Sequence, residues 1–237
     1  KIGMIFQDPL TSLNPLYRVS EQLIETIRTH LPVGEAEARK RAIALLDEVG
    51  IPAAARRIDD YPHQFSGGMR QRVVIALALC AEPDLVIADE PTTALDVSVQ
   101  AQIIEVMKKL CAERGAAIML ITHDMGVIAE TADRVAVMYA GRIAEIGPVK
   151  DVIKDARHPY TKGLMGSIPS LTSDLDRLVQ IPGSMPRLSA IPRGCAFNPR
   201  CPHAFARCFT ERPDPLDLGS GRKVACWLYK DESEQAA

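Results

Sequence analysis

Long apolar runs and an excess of either charge are both absent from this sequence. The longest apolar run, VVIALALCA at residues 73–81, is much shorter than the roughly 18 residues of a membrane-spanning helix. The 28 basic and 30 acidic side chains leave a net charge of −2, which argues against a nucleic-acid-binding surface. The phosphate loop G-x-x-x-x-G-K-[ST] also occurs nowhere in the 237 residues. We therefore expect neither a membrane-embedded protein nor a nucleic-acid partner, and any phosphate must be bound by a different loop.

A loop of small residues lies in PHQFSGGMRQR, residues 62–72, just before an apolar helical run. The first backbone N–H groups of a helix have no partner within the helix, and the helix dipole adds partial positive charge there. Such a helix start is a natural binding site for an anion. Ser66, Gly67 and Gly68 are therefore predicted to cradle a phosphate group.

Strand and helix patterns alternate between residues 84 and 155. DLVIAD and AAIMLIT are apolar runs of strand length, and SVQAQIIEVMKKLCAERG between them is a helix with a glycine stop. DMGVIAETA is helical, RVAVMYAGRIAEIG indicates two strands around a turn, and KIGMIF at 1–6 indicates the end of a further strand. This alternation predicts an α/β fold whose parallel sheet is covered on both faces.

Residues 8–80 are predicted to be mostly helical. SEQLIETIRTHL begins at Ser20, which we expect to cap a helix, and GEAEARKRAIALLDEVGI is an amphipathic helix that ends at Gly50. DPLTSLNP, residues 8–15, favours a loop over a helix. That segment is either an ordinary surface loop or the start of a docking subdomain.

Two adjacent carboxylates, Asp89 and Glu90, end the apolar strand DLVIAD. Ligands of parallel sheets bind at the carboxyl ends of the strands. One carboxylate there can hold Mg²⁺ while its neighbour orients or deprotonates a water molecule. His123 follows the apolar strand IMLIT and could reach a γ-phosphate from the same edge. The alternative for the acidic pair is a solvated turn, and the alternative for the histidine is a structural role.

Further short motifs complete an ordered set. Gln7 comes first, and it is followed by FSGGM (65–69), LVIADE (85–90), ALD (94–96) and THD (122–124). In this order they resemble the Q-loop, signature loop, Walker B strand, D-loop and switch-histidine loop of ABC transporter ATP-binding subunits. The resemblance covers residues 1 to about 155. It implies a partial P-loop NTPase with a RecA-like parallel sheet, an all-helical signature subdomain and a Pro/Cys-rich C-terminal extension.

The resemblance implies a role for each residue of the chain's own site. Asp89 is expected to hold Mg²⁺, and Glu90 is expected to act as general base or to position water. His123 is expected to contact the γ-phosphate of ATP. Gln7 is expected to contact the metal, the attacking water and the membrane permease.

The resemblance also implies residues that act on a second subunit. In a dimer the loop of Ser66, Gly67, Gly68 and Met69 closes over the ATP held by the other subunit, and Asp96 couples the two sites. Met69 stands where the family commonly has Gln. We expect this change to be tolerated, because the backbone N–H remains.

The family's Walker A lysine and backbone bind the β- and γ-phosphates, but the chain has no such motif. The intact protein is expected to be an ABC-type transport ATPase, whereas this chain alone is expected to bind ATP poorly and to be inactive. The alternative function is a truncated, non-hydrolysing remnant or a partner that acts only in trans. A soluble ABC ATPase of DNA repair or translation is disfavoured by the near-neutral charge and the Pro-rich extension.

Four cysteines lie close together near the C-terminus, with the spacing Cys195-x5-Cys201-x6-Cys208-x17-Cys226. A [4Fe–4S] cluster needs four thiolates at variable spacing, whereas structural zinc usually uses C-x2–4-C pairs. Disulfides are disfavoured in a cytosolic protein. Zn²⁺ and free or disulfide-bonded thiols remain open alternatives to the cluster. The other two cysteines, Cys80 and Cys111, are interpreted as core residues.

HPYTKGLMGSIP (158–169), GCAFNPRCPHA and ACWL resemble the C-terminal extension of oligopeptide/dipeptide ATP-binding subunits. Some of these subunits bind a [4Fe–4S] cluster through four cysteines, and the resemblance favours a cluster here. It further implies a peptide importer, less so one for nickel or another small solute. Its partners are a second ATP-binding subunit, two permease subunits and, indirectly, a periplasmic peptide-binding protein. The expected location is the cytoplasmic face of the bacterial inner membrane.

The sequence and the resemblance together predict four regions. Residues 1–7 end an N-terminal core at the Q-loop, and 8–80 form the helical signature subdomain that docks on the permease. Residues 81–155 form the RecA-like core with Walker B, D-loop and switch histidine. Residues 156–237 form the C-terminal extension with the four cysteines.

Overall fold

The computed structural model describes residues 1–93, 95–167 and 180–230. The chain divides into two compact units, Lys1–His123 and Asp124–Ala237. The predicted boundaries at 7, 80 and 155 differ from this division and stay a prediction. Among the described residues, no helix combines the length and the apolar character needed to span a bilayer.

A three-stranded parallel sheet organises the first unit. Its strands are β1 (Ile2–Ile5), β2 (Leu85–Asp89) and β3 (Ala117–Ile121), in the order β1-β2-β3. The register pairs Ile5 with Ala88, and both residues are fully buried. The sequence therefore correctly predicted a parallel sheet built from short apolar runs.

The prediction that both faces of this sheet are covered is wrong for the described residues. Ile2, Met4, Met119 and Ile121 occupy in-register positions of one face, and they are 69, 41, 54 and 42% exposed. The opposite face packs on helices, with Ile5, Val86 and Ala88 buried and the β3 residues half-buried. Strand β1 approaches a helix so closely there that a Cβ on Gly3 would collide with the Ala78 carbonyl oxygen.

Six helices complete the described part of the first unit: α1 (Pro9–Ser12), α2 (Val19–His30), α3 (Glu35–Glu48), α4 (Ala54–Arg57), α5 (Gly67–Leu79) and α6 (Val97–Glu113). A short 3₁₀ helix, Pro62–Gln64, precedes α5. The helices bury one continuous core that includes Leu23, Ile27, Leu46, Ile75 and Ile103. Helix α3 stops before Gly50, which has a φ of +80°. Glycine adopts this left-handed conformation readily, whereas other residues rarely do.

Two local predictions in this unit are wrong. Helix α2 starts at Val19 rather than after a Ser20 cap, because the Glu21 carboxylate accepts the Arg18 N–H at 2.7 Å. The stretch expected to be a loop contains the helical turn α1. It forms because the Asp8 side chain accepts the Leu10 N–H at 2.8 Å and a proline begins the turn.

The second unit contains a four-stranded antiparallel sheet in the order β4-β5-β7-β6. The strands are β4 (Arg134–Tyr139), β5 (Arg142–Pro148), β6 (Leu216–Asp217) and β7 (Lys223–Val224). The helices are α7 (Met125–Thr131), α8 (Val149–Lys154), α9 (Pro159–Gly166) and α10 (Ala206–Thr210), and the 3₁₀ turns are Leu188–Ala190, Asn198–Arg200 and Trp227–Tyr229. The predicted hairpin is confirmed, with positive φ at Ala140 and Gly141 in its turn.

Buried polar contacts tie the C-terminal strands of the second unit to β5. Glu145 in β5 is fully buried, and its Oε1 accepts a hydrogen bond from Arg222 Nη2 at 2.8 Å. The Glu145 carboxylate also accepts the backbone N–H groups of Arg157 and His158, at 3.0 and 2.9 Å. The sequence did not indicate this network, because its members lie up to 77 positions apart.

Candidate functional site

The carboxyl end of β2 carries the two acidic residues that the sequence singled out. Asp89 is the last residue of the strand, and Glu90 extends the sheet because its N–H donates to the Ile121 carbonyl at 2.8 Å. Glu90 has a φ of +45°. For a residue other than glycine this conformation costs about 1–3 kcal/mol and is common at functional sites. The backbone thus turns sharply at the point where the strand ends.

Three side chains converge on the Glu90 carboxylate. Gln7 Nε2 and Thr93 Oγ1 each donate to Oε2 at 2.9 Å, and His123 Nδ1 lies 3.2 Å from Oε1. Hydrogen bonds from Thr93, and then from His123 and Gln7, hold the pKa of Glu90 below its ordinary value. The carboxylate is therefore ionised at neutral pH and fixed in orientation.

Sheet order explains how distant residues meet at this point. Gln7 follows β1, Glu90 follows β2 and His123 follows β3, so the carboxyl ends of adjacent parallel strands supply all three side chains. The His123 side chain is 81% exposed and that of Glu90 is 27% exposed. The group therefore faces solvent and is accessible to a ligand.

Asp89 stands beside this group. It is half-buried at the end of β2, and its side chain forms no hydrogen bond or ion pair within the described parts of the chain. Its carboxylate oxygens remain open to an external ligand, and oxygen ligands are what Mg²⁺ prefers. The donor chemistry of Asp89 thus fits a magnesium ion.

The small-residue loop lies at the start of α5. Ser66 is the N-cap of this 13-residue helix, and its Oγ accepts the Met69 N–H at 3.3 Å. Ser66 and Gly67 are exposed. At Gly68 an added Cβ would lie 3.0 Å from Val99 Cγ1, so a side chain would be crowded. The loop presents the start of a helix to solvent, as the sequence predicted.

The structure does not bring every predicted site residue together. No hydrogen bond among the described residues joins the Ser66 loop or Asp96 to the Glu90 group. Asp96 is exposed and precedes α6 without a side-chain cap bond. Thr93 belongs to the Glu90 group, yet the sequence analysis did not single it out. A threonine three residues after the acidic residue, within one turn, was the only available signal.

The four C-terminal cysteines line one cavity, together with Phe197 and Trp227. All six cysteines of the chain are free thiols. Burial raises the pKa of Cys195, of Cys201 and of Cys226, the last to about 11, and the neighbouring thiols add to the effect at Cys226. Cys80 and Cys111 are buried in the core of the first unit, as predicted.

The four cysteines predicted to bind a [4Fe–4S] cluster do not form a preformed metal site. Across residues 1–93, 95–167 and 180–230, no three His, Cys, Asp or Glu side chains are arranged to hold a metal ion. The cavity between the thiols measures about 10 Å³, which is roughly the space of one water molecule. The raised pKa values of Cys195, Cys201 and Cys226 favour their protonated thiols, whereas a metal binds the thiolate. The cavity as it stands does not fit a cluster.

Two family models match different parts of the chain. The ABC transporter family model matches residues 1–93. The model described as "Oligopeptide/dipeptide transporter, C-terminal region" matches residues 144–208.

Curated relatives match almost the whole chain. The oligopeptide transport ATP-binding protein AppD of Bacillus subtilis is 49% identical over 99% of this chain and 72% of its own length. The dipeptide transport ATP-binding protein DppD of the same organism is 50% identical over 99% of this chain and 70% of its own. The oligopeptide transport ATP-binding protein OppD of Mycobacterium tuberculosis is 52% identical over 95% of this chain and 37% of its own.

Solved structures match the fold. The dimeric ATP-binding cassette MJ0796, bound to ADP and Pi, is 32% identical with a TM-score of 0.55, and the match covers 63% of each chain. The protein cbiO1 of Clostridium perfringens, described as part of the ABC transporter complex cbiONQ, is 32% identical with a TM-score of 0.57 over 65% of this chain and 59% of its own. With its relatives near 50% identity, the chain belongs to the ATP-binding proteins of ABC transporters, in the oligopeptide/dipeptide transporter group.

Proposed function

We propose that this chain is the ATP-binding and ATP-hydrolysing part of an importer for dipeptides or oligopeptides. The observation that carries the proposal is the convergence of Gln7 and His123 on the Glu90 carboxylate at the end of β2. The names of the relatives supply the substrate class, since they are oligopeptide and dipeptide transport proteins. Nickel or another small solute is the less favoured cargo.

Glu90 acts on the attacking water in this proposal. Its lowered pKa keeps it ionised and makes it a weaker base than an ordinary carboxylate. Orientation of the water is therefore its main contribution, with His123 contacting the γ-phosphate and Gln7 contacting the water and metal. Asp89 holds Mg²⁺, which when bound neutralises charge on the phosphate oxygens.

The Ser66 loop acts on a second ATP-binding subunit in this proposal. Ser66, Gly67, Gly68 and Met69 close over the nucleotide that the other subunit holds, and Asp96 couples the two sites. The exposed helix start at Ser66 and the dimeric state of the related cassette both support this arrangement. The helical region 8–80 docks on the membrane permease subunits.

The assembly lies on the cytoplasmic face of the inner membrane in this proposal. Two permease subunits form the path, and a periplasmic peptide-binding protein delivers the substrate to them. The choice of substrate belongs to those proteins rather than to this chain. Its own part is to couple ATP hydrolysis to transport.

Glu90→Gln in the full-length protein tests the catalytic proposal. The amide keeps the shape of the side chain but removes its charge, so we expect ATP hydrolysis to fall by about 100-fold or more while ATP binding persists. Glu105→Gln, on the exposed side of α6, is the matched control and should hydrolyse ATP normally. Unchanged hydrolysis by Glu90→Gln would remove Glu90 from this role.

A non-hydrolysing partner remains the second candidate, because the chain has no G-x-x-x-x-G-K-[ST] motif. The ATPase rate of this chain should be measured alone and then mixed with a subunit that carries that motif. We expect no turnover by the chain alone. Robust turnover by the chain alone contradicts the expectation that it binds ATP poorly.

We also propose that Cys195, Cys201, Cys208 and Cys226 bind a [4Fe–4S] cluster, with Zn²⁺ as the alternative. The convergence of the four thiols on one cavity lined by Phe197 and Trp227 supports this proposal. The narrow cavity opposes it, so binding requires the thiols to ionise and move apart. The role of the cluster is structural, since transport driven by ATP needs no electron.

A metal count on anaerobically purified protein tests this proposal. We expect about four irons per chain and visible absorbance from the cluster, both lost on Cys201→Ser. Cys80→Ser, which changes a thiol in the core of the first unit, is the control and should keep the iron. Zinc without iron favours the alternative, and the absence of both metals refutes a metal site.

A further inference from the structure

The three groups that hold the Glu90 carboxylate come from different parts of the fold. Gln7 and His123 follow the neighbouring strands β1 and β3, whereas Thr93 lies three residues after Glu90 in the same turn. In the proposed function Gln7 and His123 also contact the metal, the water and the γ-phosphate. The hydrogen bonds from Gln7 and His123 to Glu90 therefore compete with ligand contacts, whereas the hydrogen bond from Thr93 does not.

The turn itself fixes Thr93 relative to Glu90. The Thr93 N–H donates to the Glu90 carbonyl at 3.1 Å, while the Thr93 hydroxyl donates to the carboxylate at 2.9 Å. The turn is held to α6 by Gln100, whose Nε2 donates to the carbonyls of Thr92 and Leu95, each at 3.1 Å. Thr93 thus contacts the carboxylate of Glu90 through its hydroxyl and the carbonyl of Glu90 through its N–H. The turn that contains Thr93 is itself held to α6.

We propose that Thr93 is a positioning residue that keeps the Glu90 carboxylate aimed at the attacking water once Gln7 and His123 turn to the nucleotide. The proposal rests on the proposed role of Glu90. A free carboxylate rotates, and each misaligned orientation lowers the fraction of bound complexes ready to react. The Thr93 hydroxyl, a fixed donor in the same turn, keeps the carboxylate oriented. It bonds Oε2 and so leaves Oε1 open to the attacking water.

Thr93→Val and Thr93→Ser test the proposal, since valine keeps the shape of threonine without its hydroxyl and serine keeps the hydroxyl. Thr93 is exposed, so neither change disturbs the core. Thr92→Val is the matched control, because the Thr92 side chain forms no hydrogen bond with the described residues.

The first measurement uses this chain and needs no ATP. Carbon-13 NMR of glutamate carboxyl groups at constant neutral pH, with Glu90 identified by its loss in Glu90→Gln, reports on the hydrogen bond. Because the Thr93 hydroxyl donates to the carboxylate at 2.9 Å, Thr93→Val should change the chemical shift of the Glu90 carboxyl carbon. Thr93→Ser should restore the wild-type shift, and Thr92→Val should leave it unchanged. An unmoved shift in Thr93→Val overturns the proposal.

The second measurement uses the full-length protein. Thr93→Val should lower kcat for ATP hydrolysis by about tenfold with KM for ATP unchanged, and Thr93→Ser should recover most of it. A changed carboxyl shift in Thr93→Val with an unchanged kcat refutes a positioning role although the hydrogen bond exists. Normal hydrolysis by Glu90→Gln would instead refute the proposed function, and the NMR result would still report on the contact.

Discussion

His158 is buried, and the folded chain favours its neutral imidazole. Its Nδ1 accepts the Tyr160 N–H at 3.0 Å and so caps α9, while its own N–H donates to Glu145. Burial lowers the pKa of His158 from 6.5 to about 4, although the charge of Glu145 acts in the opposite direction. The unfolded chain therefore binds this proton more readily than the folded chain does.

Acid should destabilise the second unit through this residue. The stability that His158 contributes is fully present above pH 6.5 and is lost as the pH falls toward 4. This loss lowers the free energy of unfolding by about 3 kcal/mol. Urea unfolding at pH 7 and 4.5, followed by fluorescence of the single Trp227, measures it.

His158→Asn is the matched variant, since its side-chain oxygen can cap the helix but does not titrate. The loss of stability between pH 7 and 4.5 should be smaller in this variant than in the wild type. An equal loss in both proteins would contradict the assignment to His158.

At the functional site, the sequence predicted that Glu90 and His123 would share an edge of the sheet, because parallel strands end at the same side, and the resemblance added Gln7. Gln7, Glu90 and His123 do lie within hydrogen-bond distance. Their catalytic roles stay predictions. Thr93 was not singled out, since a threonine three residues after an acidic residue is the only signal that the sequence offers for this contact.

Among the secondary-structure elements, the joining of β7 to β5 depends on one buried ion pair. Only two residue pairs form this ladder, Glu145 with Val224 and Ile146 with Lys223. Arg222, immediately before β7, donates to Glu145 and also to Asp155. Strands this short gain little stability from backbone hydrogen bonds alone. The Arg222–Glu145 ion pair therefore contributes much of the free energy that holds β7 beside β5.

Arg222→Met should destabilise the second unit by about 3–5 kcal/mol, because it leaves the Glu145 charge buried and uncompensated. Adding Glu145→Gln should recover part of that loss, since the amide oxygen still accepts a backbone N–H without carrying charge. Urea midpoints read by Trp227 fluorescence measure both variants. A cost below about 1 kcal/mol for Arg222→Met would show that the pair is not needed.

Elements with a strong pattern were predictable from sequence and the short ones were not. The three strands of the parallel sheet and the hairpin β4–β5 follow apolar runs of the expected length. Helix α1 has four residues and β6 and β7 have two each, which is too few for any periodicity. Their formation depends on a side-chain cap and on the Glu145 network instead.

For the whole molecule, the Ser66 loop predicts an effect that appears on a different subunit. In the assembly with its second ATP-binding subunit, Ser66→Arg in this chain should reduce the nucleotide trapped on the second subunit. The bulky cation would block the helix start that is proposed to close over that nucleotide.

Photo-crosslinking with an azido-ATP analogue, followed by separation of the subunits, identifies which nucleotide is lost. Gln64→Arg, an exposed position two residues before Ser66, is the control and should leave labelling unchanged. Loss of labelling only on the chain that carries Ser66→Arg would refute action in trans.

The uncovered face of the three-stranded sheet has a practical consequence for anyone who handles this chain. Ile2, Met4, Met119 and Ile121 form an apolar patch whose outer strands, β1 and β3, have no further strand beside them among the described residues. Patches with open strand edges recruit other copies. Because apolar association weakens on cooling, the chain should stay dispersed best in dilute, cold solution, and warming a concentrated sample should drive it reversibly into larger particles.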